Sequence, residues 1–239
     1  MIKNISFFFE KKHQETKSQL FLAFFFTLFT LIALGIDSIS FTKHYFDARQ
    51  ITNLLAIIYF SLLFWASGSE LRKLMFVMVF LSYIGELLFC KLLGMYAYRT
   101  NAIPLYVPFG HAIVYASGYI FAQTSWAVKN DKNLKKVFVL FFIFLFLGVG
   151  ILLNDLFSLF FGALFFVLLR RKNWNNLYFF IALCVIFIEL VGTFFGCWTW
   201  VSKTFNTIST ANPPMGAVFF YAGGDMILAK IVAFWKNKT

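Results

Sequence analysis

Three carboxylates stand inside apolar stretches of this chain: Glu86, Glu189 and Asp225. His111 opens a further apolar stretch. A carboxyl group or an imidazole withdrawn from water can deliver a proton and take one back, which makes these four the candidates for acid/base chemistry. A carboxylate at mid-membrane costs about 2.5–3.5 kcal/mol on insertion scales, so each needs a partner or a wet cavity. Helix–helix hydrogen bonding, helped by small neighbours such as Gly192 and Gly196, is the competing role for Glu86 and Glu189. His111 could equally sit at a membrane interface. Asp37 and Asp155 fall at the ends of apolar runs, where solvation or helix capping would account for them.

The two glutamates recur in matched surroundings about 100 residues apart. Glu86 opens E-L-L-F-C-K-L-L-G-M-Y-A-Y, ending at Tyr96 and Tyr98, and Glu189 opens E-L-V-G-T-F-F-G-C-W-T-W, ending at Trp198 and Trp200. Each block has a carboxylate, then a glycine, then two aromatics separated by one residue. Further on, Pro108, Gly110, Tyr115, Ala116 and Gly118 match Pro214, Gly216, Tyr221, Ala222 and Gly224 at a constant offset. The aromatics, with Arg99, Tyr115, Asn212 and Tyr221, are the expected lining of a binding site. An interfacial aromatic belt would also use Tyr and Trp, but it leaves the matched carboxylates unexplained. Arg99 could bind a lipid phosphate or face water, and Asn212-Pro213-Pro214 is most simply a turn that starts a helix.

What must position these groups follows from composition. Of 239 residues, 61% are apolar, 22% aromatic and only 13% charged, against about 25% charged in a soluble domain. A soluble globule, a disordered tail and a collagen-like fibre are excluded. Runs long enough to cross a bilayer are expected near 20–39, 51–68, 74–95, 108–128, 137–153, 156–169, 177–197 and 215–235, the fifth and sixth forming a tight hairpin at Asn154-Asp155. The expected fold is all-α: a polytopic transmembrane helix bundle of about eight spans in a single domain, 1–239. Its halves, roughly 20–128 and 137–235, would be two parallel four-helix repeats about a pseudo-two-fold axis along the membrane normal. The third and fourth spans would then pack against the seventh and eighth.

The first run resembles a signal peptide, with Ala33-Leu34-Gly35 as a cleavage site, but its length favours an uncleaved span. Residues 1–19 form a basic segment whose Phe7-Phe8-Phe9 patch could lie at a membrane surface. The net charge of +11 reflects a bias of Lys and Arg, 16 on one set of loops and 5 on the other. By the positive-inside rule both termini are cytoplasmic, in the inner membrane of a bacterium. The charge therefore calls for anionic lipid headgroups as partners and for no nucleic acid. Cys90, Cys184 and Cys197 occur at no metal-ligand spacing and are expected to be small buried hydrophobes. No metal site and no cofactor is expected. Phosphate loops, a His-Glu-x-x-His motif and a Ser nucleophile elbow are missing from the sequence.

The stretch from Glu86 to His111, with Gly94-x-Tyr96-x-Tyr98 and Ile103-Pro104-Leu105-x-Val107-Pro108, resembles the integral-membrane carotenoid-biosynthesis family that includes carotenoid hydratases. The resemblance implies acid/base chemistry of the hydratase, isomerase or cyclase type on a long polyene or isoprenoid. Glu86 or Glu189 would be the acid, Asp225 or His111 its partner, and the site would open to the membrane. Two other classes fit the residues alone: a small proton- or cation-coupled carrier or channel built from parallel repeats, and an assembly subunit whose polar groups hold helices together.

Overall fold

The computed structural model describes residues 17–100 and 102–236. The Phe7-Phe8-Phe9 patch and most of the basic segment 1–19 lie outside the described residues. The fold is all-α. Helix α1 spans Lys17–Ile36, the short α2 Ile39–His44, α3 Arg49–Ala66 and α4 Ser69–Glu86. A π-helical turn, Leu87–Leu92, continues α4 before the three-residue strand β1, Tyr96–Tyr98. Helix α5 spans Tyr106–Gln123, the short α6 Ser125–Lys129, α7 Asp131–Leu152, α8 Leu156–Arg171 and α9 Asn176–Phe194. Strands β2 (Trp198–Trp200), β3 (Lys203–Thr204) and β4 (Ile208–Ser209) follow. A 3-10 turn over Met215–Ala217 then leads into α10, Val218–Lys236.

Among the described residues, six helical segments are long and apolar enough to cross a membrane: 17–44, 49–66, 69–92, 131–152, 176–194 and 215–235. Each overlaps an expected run. The other two runs fold as α5, 18 residues, and α8, 16 residues. Helix α8 is short, and α5 is diluted by His111, Ser117, Gln123 and its tyrosines. The α7–α8 hairpin turns at Asn154, whose φ is positive (52°). Its helices touch closely: a Cβ at Gly150 would run into Leu159, and one at Gly162 into Phe146.

Local chemistry sets several helix ends. Asp155 accepts the Ser158 amide at 3.0 Å and also the Ser158 hydroxyl, capping α8. The same hydroxyl oxygen accepts the Gly216 amide at 2.9 Å, tying the 3-10 turn to α8. Asp155 thus caps as expected, but it is fully buried rather than solvated. Arg72 turns back on the end of α3 and donates to the carbonyls of Phe64, Trp65 and Ser67, groups a helix C-terminus leaves without intrahelical donors.

Helix α5 is the centre of the bundle. It packs on α1, α3, α4 and most extensively on α9, where Gly118 lets its backbone approach Ile181 so closely that a Cβ would collide. Helix α4 packs on α10. The abundant Phe fills the interior: Phe142, Phe165 and Phe179 join α7, α8 and α9 through rings 5.5–6.1 Å apart. Cys90, Cys184 and Cys197 are free and buried, with the Cys197 thiol donating to the Leu34 carbonyl.

Candidate acid/base site

The two glutamate segments meet at one end of the bundle. Strands β1 and β2 pair antiparallel, Tyr96 opposite Trp200, Ala97 opposite Thr199 and Tyr98 opposite Trp198. Two flanking bonds extend the ladder, from the Arg99 amide to the Cys197 carbonyl at 2.8 Å and from the Val201 amide to the Met95 carbonyl at 3.0 Å. Side chains alternate along a strand, so both members of each aromatic pair point to the same face, which is the face carrying the carboxylates.

Each strand is delivered by a glycine turn. Gly94 (φ 58°) ends the π-helical turn after Glu86, and Gly196 (φ 67°) ends α9 after Glu189. Side-chain-bearing residues pay about 1–2 kcal/mol in this left-handed region. At Gly196 the helix closes with a bond from the Cys197 amide to the Gly192 carbonyl, the usual satisfaction of orphan carbonyls at a left-handed C-terminus. The chain reverses there, and the aromatics fold back over the glutamate that precedes them.

The result is two carboxylates held in the same manner. Glu86 Oε2 accepts the Tyr96 hydroxyl at 2.9 Å and the Tyr98 hydroxyl at 2.6 Å. Glu189 Oε2 accepts the Trp198 indole N–H at 2.9 Å and the Trp200 indole N–H at 3.0 Å. An indole N–H only donates, so this oxygen of Glu189 is fixed as an acceptor and its chemistry is left to Oε1. Glu86 Oε1 lies 3.0 Å from His111 Nε2. The His111 ring stacks on Tyr221, centroids 4.9 Å apart and planes 9° apart, and Tyr221 interacts in turn with Glu189. A ring stack thus links the two carboxylates through one side chain from α5 and one from α10. Both glutamates are buried, 3% and 7% exposed.

The groups line a cavity of about 440 Å³, within the 300–1,000 Å³ of small-molecule sites. Its remaining wall is mostly apolar, from Phe26, Phe29, Ala33, Ala56 and Phe89 among others, with Thr30, Thr52, Ser82 and Tyr106 as its polar members. Glu86, Glu189, His111, Tyr96, Tyr98, Trp198, Trp200 and Tyr221 are brought together here. The other expected site residues are placed elsewhere. Asp225 is 2% exposed, stands away from the cavity wall and interacts with Tyr115 and Tyr178, at the junction of α10 with α5 and α9. Asn212 accepts the Trp200 amide at 3.0 Å and braces β2.

Arg99 is neither a water-facing group nor one open to a lipid phosphate. Its Nη2 lies 2.9 Å from Asp37 and 2.7 Å from Asp47. Asp37, expected to be solvated or to cap a helix, is fully buried. It also takes Arg49 at 3.3 Å and the Tyr106 hydroxyl at 2.8 Å. Burial of a carboxylate requires such partners, and they come from positions 37, 49, 99 and 106, too far apart in sequence to read as a cluster. The Arg99 guanidinium, hydrogen-bonded to Asp47, holds the Asp47 carboxyl below the usual carboxylate range.

Signals for part of this geometry were present: a glycine recurs between each carboxylate and its aromatic pair. The π-helical continuation of α4 has no such signature, although turns of this kind often mark functional sites. One tight contact is directly testable. A Cβ on Gly192 would overlap the Trp198 ring, so Gly192→Ala is expected to cost about 1–3 kcal/mol through overpacking. It should also move the indole off Glu189, which intrinsic Trp fluorescence and thermal unfolding in detergent would register together.

Among the described residues no group of three or more His, Cys, Asp or Glu is placed to hold a metal ion. In comparisons with known proteins, no family model, no curated protein and no solved structure matches the chain.

Proposed function

We propose that this chain is an integral membrane enzyme of the acid/base type, acting on a lipid-dissolved isoprenoid or polyene through Glu86 and Glu189. The observation that carries this reading is the pair of buried carboxylates, each with one oxygen clamped by two aromatic donors, at the wall of an apolar cavity. A carboxylic acid there donates its proton to an alkene carbon. The π pair forms the new C–H bond, and the adjacent carbon becomes a carbocation that the Tyr and Trp faces stabilise. The second carboxylate then removes a proton, either from a neighbouring carbon, which completes an isomerisation or cyclisation, or from a water that has added to the cation, which completes a hydration. His111 holds Glu86 Oε1 in place and can relay its proton.

In this reading all eight long helices cross the bilayer as two parallel four-helix repeats. Support comes from the symmetric β1–β2 register and from the paired contacts of α4 with α10 and α5 with α9. The Lys and Arg bias puts both termini in the cytoplasm and the paired strands at the opposite side. The resemblance of the Glu86–His111 segment to carotenoid-biosynthesis proteins supports the substrate class.

A proton- or cation-coupled carrier is the second reading. It is favoured by Asp225, a third buried carboxylate one helical turn beyond Tyr221 on α10. The deciding experiment compares lipid and pigment extracts of cells with and without the expressed protein by mass spectrometry. A new hydroxylated, isomerised or cyclised isoprenoid is expected. Unchanged extracts, together with proton uptake by vesicles carrying the protein, would overturn the enzyme in favour of the carrier.

A further inference from the structure

The cavity reaches the surface of the bundle between α4 and α10. Ile84 and Leu88, on α4 and its π-helical continuation, and Ile227, on α10, line it while being 61%, 41% and 52% exposed. A residue can do both only where the cavity wall is also the outer surface. Three glycines frame the same place. Gly223 and Gly224 have nothing within 4 Å of where a Cβ would project, and Gly85 would meet only the Phe89 ring at 3.9 Å. The rim at this place is therefore apolar and bare of side chains at its three glycines, while the ionisable groups Glu86, Glu189 and His111 are gathered among the aromatics of the β1–β2 pair.

We infer that the gap between α4 and α10 is a lateral portal through which one hydrocarbon chain of a membrane-dissolved molecule enters to reach the carboxylates. The inference rests on the membrane reading above and adds the route and the shape of the ligand. Two exposed isoleucines and a leucine on the rim would repel a charged, hydrated solute and are matched to acyl or prenyl chains. Glycine at three rim positions keeps side chains there out of the way of an entering chain.

The test uses a cysteine at Ala56, a buried residue of the cavity wall on α3, with Cys90, Cys184 and Cys197 replaced by alanine. The protein is reconstituted in phosphatidylcholine vesicles. Its labelling by N-dodecylmaleimide and by a sulfonated, water-soluble maleimide is followed by mass spectrometry. The alkyl reagent is expected to label the Ala56→Cys variant and the sulfonated one not to. Gly223→Ala, Gly223→Leu and Gly223→Trp should slow alkyl labelling in that order, by tenfold or more for Trp. Misfolding would instead admit the sulfonated reagent, so the plug and an unfolded variant are distinguishable. Labelling that ignores residue 223, or equal rates for both reagents, overturns the portal. The same rates in a Glu86→Gln background are expected to be unchanged, so the portal and the acid/base reading fail separately.

Discussion

Glu86→Gln and Glu189→Gln are each expected to lower turnover by about 10²–10⁴-fold, the usual range for removing a general acid or base, while leaving the protein folded. The hydrogen bonds explain the second half of that expectation. A glutamine still presents a carbonyl oxygen, which can accept the Tyr96 and Tyr98 hydroxyls at position 86, or the two indole N–H groups at position 189. The exchangeable carboxyl proton is lost, and an amide NH2 replaces the other oxygen, facing His111 at position 86. Matched thermal unfolding of variant and wild type, beside a product assay, separates the two effects. If both variants failed to fold, the glutamates would be helix ties instead of reactive groups.

Asp37→Ala is expected to behave in the opposite way, with a large loss of stability. It would leave Arg49 and Arg99 in a site where Asp37 is fully buried, keeping only the Asp47 contact to Arg99. Removing one partner of a buried ion pair costs about 3–5 kcal/mol, because the other charge stays uncompensated. For a chain of this length that corresponds to a Tm lower by on the order of 10 °C, measurable in detergent by tryptophan fluorescence. A solvated Asp37, one of the two roles the sequence allows, would cost under about 1 kcal/mol. The cluster matters to the site because Arg99 directly follows the Tyr98 that holds Glu86.

The parts legible in the sequence were those that break the apolar background. Glu86, Glu189 and His111 stood out because ionisable groups are rare in such runs, and the aromatic pairs stood out because they recur after both glutamates. The helix positions were also legible, since each expected apolar run coincides with a helix. The rest depended on distant pairings. Strands of three residues leave no periodic pattern, so nothing announced that β1 and β2 would pair across about 100 residues and turn their aromatics onto the carboxylates. Asp37 was misread because its two arginines and Tyr106 arrive from separate loops and helices. Asp225 looked like a member of the same site, yet Tyr115 and Tyr178 draw it into a separate junction of three helices.

The central claim is that Glu86 and Glu189 move a proton to carbon, and isotope transfer tests it most directly. Cells expressing the wild-type protein or the Glu→Gln variants would be grown in D2O-containing medium and their lipid extracts analysed by mass spectrometry. The predicted result is an isoprenoid product whose non-exchangeable deuterium exceeds the D2O-grown background in the wild type and returns to that background in both variants. The same deuterium content in wild-type and variant extracts would contradict it.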